Sequence, residues 1–336
     1  MRMLVIKPSS LGDVIHALPF LKAVKDTWPD ALVDWVINRP LKDILEDNPL
    51  ISELIVIDKD SWKKASKISS TLSGLSALKK TLRAKHYDMV VDLQGLLRSG
   101  LIAFFTPTTL KIGFADAREG SRFFYDKEVQ VNSAAHAVDK CLEVAKAIGA
   151  GSNRKGFPLQ TDRKAKAAIS ALLGDIKEYV VIAPSARWAS KRWPAENFAS
   201  LINKIELPCV IIGTGADREI AQKIIGAGNR RTEVTDLCGR TDLKQLVSLI
   251  NGAKAVVTND SGPMHIAAAL DRPVIAVFGP TDPLKTGPYN WQKSGRSKVI
   301  SAGVPCSPCR KKKCSKLVCM HNIDVNPVFE ALKEYL

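Results

Sequence analysis

The sequence lacks any apolar run that approaches the roughly 20 residues needed by a bilayer-spanning helix. Its first residues, MRMLVIKPSS, lack the layout of a signal peptide and instead indicate the start of a strand. Together these absences predict a cytoplasmic protein that touches a membrane only from its surface.

Two nucleotide-binding signatures are also absent. Neither G-x-G-x-x-G nor the P-loop motif G-x-x-x-x-G-K-[ST] occurs, which counts against a dehydrogenase and a kinase-type NTPase.

The composition, with 46% hydrophobic and 25% charged residues, is ordinary for a folded protein and excludes a disordered chain. A length of 336 residues favours two domains.

Acidic residues are scarce relative to basic ones. The chain has 34 Asp and Glu against 49 Lys and Arg, which gives a formal net charge of +15. The basic excess is concentrated in residues 59–85 and again in residues 310–316. Such an excess favours a polyanionic partner, namely a phosphorylated substrate, an anionic membrane surface or nucleic acid, with solubility alone as the alternative.

The order of predicted elements indicates parallel sheets. Short apolar runs alternate with helical patterns in both halves, as in βαβ units. A polar stretch at residues 149–156 separates the halves, and residues 62–85 predict a basic amphipathic helix. We therefore predict an α/β protein with two Rossmann-like domains, residues 1–160 and 161–325, and a terminal helix at 326–336. The predicted strands are residues 3–6, 31–37, 54–57, 89–93, 179–183, 209–213, 255–259 and 274–278.

The strongest local motif follows the predicted strand at residues 255–259. A small polar turn, T-N-D-S-G-P-M-H, leads directly into an Ala-rich helix. A helix N-terminus offers unpaired N–H groups and partial positive charge, and Gly262 permits close approach, so the turn suits a phosphate. The alternative is an ordinary cap at Asp260 or Ser261. His265, in the first helical turn, is expected to face the ligand.

Two further loops follow predicted strands. Residues 183–194 gather hydroxyl, Lys and Arg groups, including Ser185 and Lys191, where a pyrophosphate would sit; a solvated basic loop is the alternative. Residues 7–13 place Asp13 at a helix start, where a carboxylate is usually a cap. Its predicted position in the first half also suits a general base for an acceptor hydroxyl.

Taken together, these motifs resemble the ADP-heptose:lipopolysaccharide heptosyltransferases of glycosyltransferase family 9. The resemblance implies the GT-B fold, with two Rossmann-like domains facing a central cleft and the terminal helix packing back on the first domain. It also implies inverting transfer of heptose from ADP-heptose to the phosphorylated inner core of lipid A, without a metal or other cofactor. The segments that carry it are KPSSLGDVIHALP (7–19), VVDLQGLLRS (90–99), KRWPAENF (191–198) and TNDSGPMHIAAALDRPVIAVFGPTDP (258–283).

The resemblance also assigns roles by position. Asp13 matches the family's base and Lys191 its pyrophosphate-binding lysine. Glu219 matches a nucleoside contact, and Ser185 is a further donor-site residue. Residues 7–19 are similar to heptosyltransferase I and residues 258–270 to heptosyltransferase II, with the first type favoured. The nucleotide-sugar motif is matched by Asp260, Ser261, Gly262 and His265.

The anionic acceptor is expected on the first domain. Its predicted contacts are Lys63, Lys64 and Lys67, in the basic segment at residues 59–85, and Arg118. The guanidinium fork of Arg118 suits phosphate or carboxylate. The predicted partners are therefore ADP-heptose, a lipid A-core acceptor and the inner face of the inner membrane. Nucleic acid is not expected, and the oligomeric state stays open. Two rival functions remain, a sugar-nucleotide epimerase of related fold and a non-catalytic nucleotide- or polyanion-binding protein.

Four of the seven cysteines cluster near the C-terminus. Their spacing, C-x2-C-x4-C-x4-C, can provide a four-thiolate zinc site, although it is not the usual pair of C-x-x-C motifs. Reduced thiols and a labile disulfide are the alternatives, and the transfer chemistry does not need a metal there. The four are Cys306, Cys309, Cys314 and Cys319.

Overall fold

Both halves of the chain form parallel β-sheets. The computed structural model describes residues 1–58, 68–151, 156–228 and 232–336. They divide into two compact units, Met1–Gln160 and Thr161–Leu336, each with a six-stranded sheet. The predicted α/β class with two parallel-sheet domains is therefore confirmed. Among the described residues, no helix combines the length and the hydrophobicity that a bilayer crossing requires.

The first unit is built around a central strand that is apolar from Met3 to Ile6. Residues 3–6 are completely buried, as expected for a parallel strand covered on both faces. The strands are β1 (Arg2–Ile6), β2 (Leu32–Asn38), β3 (Glu53–Ile57), β4 (Met89–Asp92), β5 (Lys111–Phe114) and β6 (Lys127–Val129). The helices are α1 (Leu11–Thr27), α2 (Ile68–Arg83), α3 (Leu97–Phe105) and α4 (Ala137–Ala147), with 3₁₀ turns at Arg39–Ile44 and Ser121–Phe124.

The second unit repeats this plan. Its strands are β7 (Val180–Ala183), β8 (Cys209–Ile211), β9 (Val234–Asp236), β10 (Ala255–Asn259), β11 (Val274–Phe278) and β12 (Ser297–Ser301). Its helices are α5 (Arg163–Leu173), α6 (Ala195–Ile202), α7 (Arg218–Gly226), α8 (Leu243–Gly252), α9 (Gly262–Ala269), α10 (Pro283–Thr286), α11 (Val318–His321) and α12 (Val325–Lys333). The 3₁₀ turns lie at Ala189–Lys191 and Gly215–Asp217.

The strand order of each sheet reverses once. In the first unit the order is β3-β2-β1-β4-β5-β6, and in the second it is β12-β11-β10-β7-β8-β9. The reversal falls between β1 and β4 in one sheet and between β7 and β10 in the other. Ligands of open parallel sheets bind outside the carboxyl ends of the strands at such a reversal. The loops that follow β1, β4, β7 and β10 are therefore expected to bind ligands.

A buried carboxylate joins several segments of the first unit. Asp34, in β2, is fully buried and accepts hydrogen bonds at Oδ2 from Lys85 Nζ at 2.9 Å and Tyr87 Oη at 2.8 Å. Arg2 Nη2 lies 3.1 Å from the same oxygen. Burial and the hydrogen bond to Asp34 raise the pKa of Tyr87. This network ties the start of β1 to the segment that precedes β4.

The final helix packs within the second unit. Val328 and Leu332 of α12 are completely buried in the core that also contains residues of α6 and β11. Its apolar face contacts α6, β11 and β12. The packing of this helix back on the first domain, which the resemblance implies, stays a prediction.

Candidate active site

The loops after β7, β10 and β11 meet at one buried carboxylate. Asp260, which directly follows β10, accepts a hydrogen bond at Oδ2 from Lys191 Nζ at 2.5 Å. Thr281 Oγ1, beyond β11, donates to the same oxygen at 2.6 Å. Both side chains of the ion pair are largely shielded from solvent. The structure therefore brings together Lys191 and Asp260, which the sequence had placed in separate motifs, at the strand-order reversal of the second sheet.

An asparagine side chain bridges the two principal loops. Asn259 Nδ2 donates to Pro184 O at 2.6 Å, and Trp193 N donates to Asn259 Oδ1 at 3.1 Å. Asn259 is completely buried, so these bonds satisfy both ends of an amide that has no access to water. They hold the entry and exit of the loop that carries Ser185 and Lys191. Sequence reasoning did not single out Asn259 because its role depends on the neighbouring strand β7.

The N-terminus of α9 has the features of an anion site. Ser261 is the N-cap residue, but its side chain does not bond to the backbone of the helix and instead lies 3.2 Å from Thr258 Oγ1. Gly262 is the first helical residue, and His265 is buried in the first turn. With Asp260 engaged by Lys191 and Thr281, neither acidic nor hydroxyl group acts as an ordinary side-chain cap. The first backbone N–H groups therefore keep their capacity to bind a phosphate.

Ser185 and Glu219 lie toward β8, on the other side of β7 from Asp260. The loop after β8 is closed by Asp217, whose Oδ2 accepts hydrogen bonds from Thr214 N at 2.8 Å and Thr214 Oγ1 at 2.7 Å. Partial burial raises the pKa of Asp217, but the nearby hydroxyl groups of Thr214 and Ser185 and the charge of Arg192 outweigh burial and lower it. Ser185 thus faces a well-formed polar loop.

Glu219 occupies an exposed position at the start of α7. Its side chain is 77% exposed and forms an ion pair with Lys223, one turn along, at 2.8 Å. The hydrogen bond from Lys223 lowers the pKa of Glu219. The structure does not bring Glu219 into the group formed by Lys191, Asp260 and Thr281. Its assigned nucleoside contact stays a prediction.

The basic concentration at residues 310–316 borders the loop at residues 183–194, called the Lys191 loop below. Ser190 Oγ donates to Lys311 O at 2.7 Å, and Arg310 N donates to Pro280 O at 2.8 Å. Trp188 is flanked by two ammonium groups, with Lys191 Nζ 4.6 Å and Lys312 Nζ 5.5 Å from its ring centre. The segment 304–317, called the tail loop below, therefore adds positive charge beside the candidate phosphate site.

The four clustered cysteines are free thiols. Cys306, Cys309 and Cys314 are exposed in the tail loop, whereas Cys319 is buried in α11. Within the described ranges, no three His, Cys, Asp or Glu side chains are arranged to hold a metal ion. Burial, followed by the charges of Cys306 and Cys309, raises the pKa of Cys319. Backbone N–H groups of Leu317 and Lys316 lower the pKa of Cys314.

In the first unit, Asp13 is part of a helix cap. It is the third residue of α1, and its Oδ2 accepts hydrogen bonds from Ser10 N at 2.8 Å and Ser10 Oγ at 2.6 Å. This capping box is the purely structural role that is the alternative to a general base at Asp13. The same bonds also fix the carboxylate at the carboxyl end of β1. There, Lys7 Nζ donates to Leu93 O at 2.5 Å and so joins the segments that follow β1 and β4.

The predicted acceptor contacts are only partly described. Arg118 is exposed in the loop after β5, and its backbone N donates to Gly95 O at 2.9 Å. It therefore lies at the same carboxyl edge of the sheet as Asp13. Lys63, Lys64 and Lys67 lie outside the described residues.

Comparison with known proteins identifies the family. Residues 75–319 match the family described as glycosyltransferase family 9 (heptosyltransferase). The chain is 32% identical over 330 residues to lipopolysaccharide heptosyltransferase 1 of Pseudomonas aeruginosa, covering 94% of this chain and 88% of that protein. It is 31% identical over 301 residues to the protein of the same name from Escherichia coli K12, covering 86% and 91%.

A solved structure shows the same architecture. The E. coli heptosyltransferase WaaC with ADP superposes with a TM-score of 0.81 at 27% identity, and the match covers 100% of both chains. This likeness confirms the GT-B class that was predicted for the two parallel-sheet units. The family match, the two relatives and the shared fold lead to one conclusion: the chain belongs to glycosyltransferase family 9, the heptosyltransferases.

Proposed function

We propose that this glycosyltransferase transfers heptose from ADP-heptose to the phosphorylated inner core of a lipopolysaccharide acceptor. The names of its relatives and the ADP in the WaaC structure support an ADP-linked donor. Kdo-lipid A is the favoured acceptor over its heptosylated form, since both relatives described above are named heptosyltransferase 1. The observation that carries the proposal is the Lys191–Asp260 pair beside the N-terminus of α9.

The donor diphosphate is assigned to the second unit. Lys191 offers an ammonium group held by Asp260 and by the Trp188 ring. The first turn of α9 adds oriented N–H groups and the positive end of its dipole, with Gly262 allowing close approach. Ser261 and His265 border the same turn, Ser185 belongs to the neighbouring loop, and Glu219 is assigned to the nucleoside.

The proposed reaction is a single displacement with inversion. An acceptor hydroxyl oxygen forms a bond to the anomeric carbon of heptose while the bond from that carbon to the ADP oxygen breaks. The departing electron pair stays on ADP, where Lys191 and the α9 N-terminus stabilise the growing charge. The proton of the hydroxyl passes to the carboxylate of Asp13, the base of the first unit.

The acceptor and the membrane are assigned to the first unit. Arg118 and the basic segment that contains Lys63, Lys64 and Lys67 would bind the phosphates of the lipid A core. An acceptor anchored in lipid would bring the enzyme to the inner face of the inner membrane.

The test is incubation with ADP-heptose in the presence and absence of heptose-free Kdo-lipid A. Release of ADP that depends on the acceptor, with a matching gain of one heptose on the lipid, supports the transferase. Conversion of the donor to another sugar nucleotide without acceptor would instead identify an epimerase. Binding of ADP-heptose without any turnover would identify a non-catalytic binder. A reaction without enzyme serves as the inactive control.

A further inference from the structure

The first unit displays an apolar face built from α3 and the 3₁₀ turn that follows β5. Leu97, Leu101 and Phe104 lie at spacings of four and three residues, so they share one side of α3. Their exposed fractions are 42%, 37% and 58%, and Phe123 of the turn is 79% exposed. Ile102 and Ala103, on the other side of α3, are buried. These four exposed residues are called the α3 face below.

The fold itself produces this exposure. A Cβ atom at Gly100 would lie 2.7 Å from the Phe124 ring and 3.0 Å from Ser121 Cβ, so the turn packs directly against the helix only because residue 100 has no side chain. Phe124 then packs against Phe104, with ring centres 5.6 Å apart. The adjacent Phe123 is left projecting from a well-packed base.

Basic side chains border the α3 face. The Arg122 guanidinium lies 5.3 Å from the centre of the Phe123 ring, and Lys79 Nζ of α2 lies 5.2 Å from that of Phe105. Arg98 is exposed on α3 itself. One acid, Glu119, accepts a hydrogen bond from Leu97 N. Apolar side chains with a rim of Arg and Lys match the boundary between acyl chains and anionic headgroups.

We infer that the α3 face docks on the surface of an anionic phospholipid bilayer. The inference deepens the proposed function and rests on it in one respect, that the acceptor is anchored in lipid. Phe104 and Phe123 would enter the headgroup boundary, where burying exposed apolar area is favourable. Arg98, Arg122 and Lys79 would lie among the lipid phosphates, and each basic group near such a surface adds attraction.

Vesicle sedimentation tests this surface in the full-length enzyme. Wild type and the double variant Phe104→Ser/Phe123→Ser are mixed with vesicles of phosphatidylcholine containing one-third phosphatidylglycerol. Loss of two aromatic contacts with the bilayer is expected to weaken binding roughly tenfold or more. Leu284→Ser is the matched control, because Leu284 is a 53% exposed apolar residue of the second unit. It should bind as wild type does. Thermal unfolding and ADP binding verify that each variant is folded.

Several results would overturn the inference. Equal vesicle binding by the double variant and wild type would do so, as would equal binding to vesicles of pure phosphatidylcholine. A change of oligomeric state in the double variant with unchanged vesicle binding would make the α3 face a contact between copies of the chain.

A water-soluble, deacylated Kdo acceptor separates this result from the proposed function. Wild type and double variant should transfer heptose to it equally. If neither transfers heptose, the proposed function fails, while the vesicle measurement still decides the role of the α3 face.

Discussion

The ammonium group of Lys191 is fixed on two sides, by the Asp260 carboxylate and by the Trp188 ring. Because Thr281 donates to the same carboxylate oxygen, Asp260 keeps one hydrogen bond even when the lysine is removed. A substitution at Lys191 therefore removes positive charge from the candidate diphosphate site without leaving Asp260 entirely unbonded.

We expect Lys191→Ala to weaken ADP-heptose binding and to lower kcat. The interaction exists with the bound donor and strengthens as ADP departs, so both quantities fall. Loss of a charge-assisted hydrogen bond predicts a change of about 10- to 100-fold in donor affinity. Isothermal titration with ADP and steady-state kinetics measure the two effects. Lys254→Ala, which removes an exposed lysine paired with Glu178, is the control. Unchanged ADP affinity in Lys191→Ala would contradict the assignment.

Asp13 is expected to act both as a helix cap and as the base. Asp13→Asn retains a side-chain oxygen that can accept from Ser10, so fold and donor binding should persist. The amide cannot take the acceptor proton, so kcat should fall about 10²–10⁴-fold. Single-turnover kinetics with saturating donor provide the measurement.

Asp13→Ala separates the two roles of this carboxylate. It removes both base and cap and should therefore add a loss of about 1 kcal/mol in unfolding free energy to the same kinetic defect. Near-normal turnover in Asp13→Asn would leave Asp13 as a cap alone.

At the scale of elements, the buried strands could be predicted from sequence, whereas of the edge strands only β3 was predicted. β1, β4, β7, β10 and β11 consist mainly of buried apolar residues because helices cover both of their faces. Four strands were missed, and none of them has more than two large apolar residues. Three of them form a sheet edge and the fourth lies next to one, with a partly exposed face, and an apolar run is not required there. The missed strands are β5, β6, β9 and β12.

The residues of the candidate site also divide into those that the sequence indicates and those that it does not. The loop composition and the turn before α9 pointed to Lys191 and Asp260, because hydroxyl and basic groups after a strand have few structural purposes. Asn259 and Thr281 were missed. Their importance comes from the strand order β11-β10-β7, which brings distant loops together and leaves no local sequence pattern.

The tail loop offers a prediction about thiol reactivity. The thiolate is the reactive form, and two backbone N–H groups lower the pKa of Cys314, which is exposed. Burial raises the pKa of Cys209 to about 12. At pH 7.5, iodoacetamide should therefore label Cys314 first and leave Cys209 unmodified until the protein is unfolded. Mass spectrometry of peptides at timed intervals follows the labelling. Faster labelling of Cys306 or Cys309 would show that exposure alone determines reactivity.

For the whole molecule, the net charge of +15 predicts a strong dependence on ionic strength. A basic protein attracts an anionic acceptor over distances that salt screens, since the Debye length falls to about 3 Å at 1 M salt. We expect kcat/KM for the acceptor to fall roughly tenfold between 20 mM and 500 mM NaCl. A sucrose series of equal osmolality is the control and should have little effect. A rate that is constant across the salt series would argue against long-range attraction.

The contacts that complete the second unit link residues made far apart in time on the ribosome. Ser190 Oγ bonds to Lys311 O, and Trp193 Nε1 donates to Ile323 O at 2.9 Å. All strands of the first unit have been synthesised once residue 129 has been added. At 5–20 residues per second, Ile323 is added roughly 10–40 s after residue 129. A nascent chain can thus carry every strand of the first sheet before the candidate donor site is complete, and a premature stop codon before position 311 would remove both of these bonds to the Lys191 loop while leaving the first unit encoded in full.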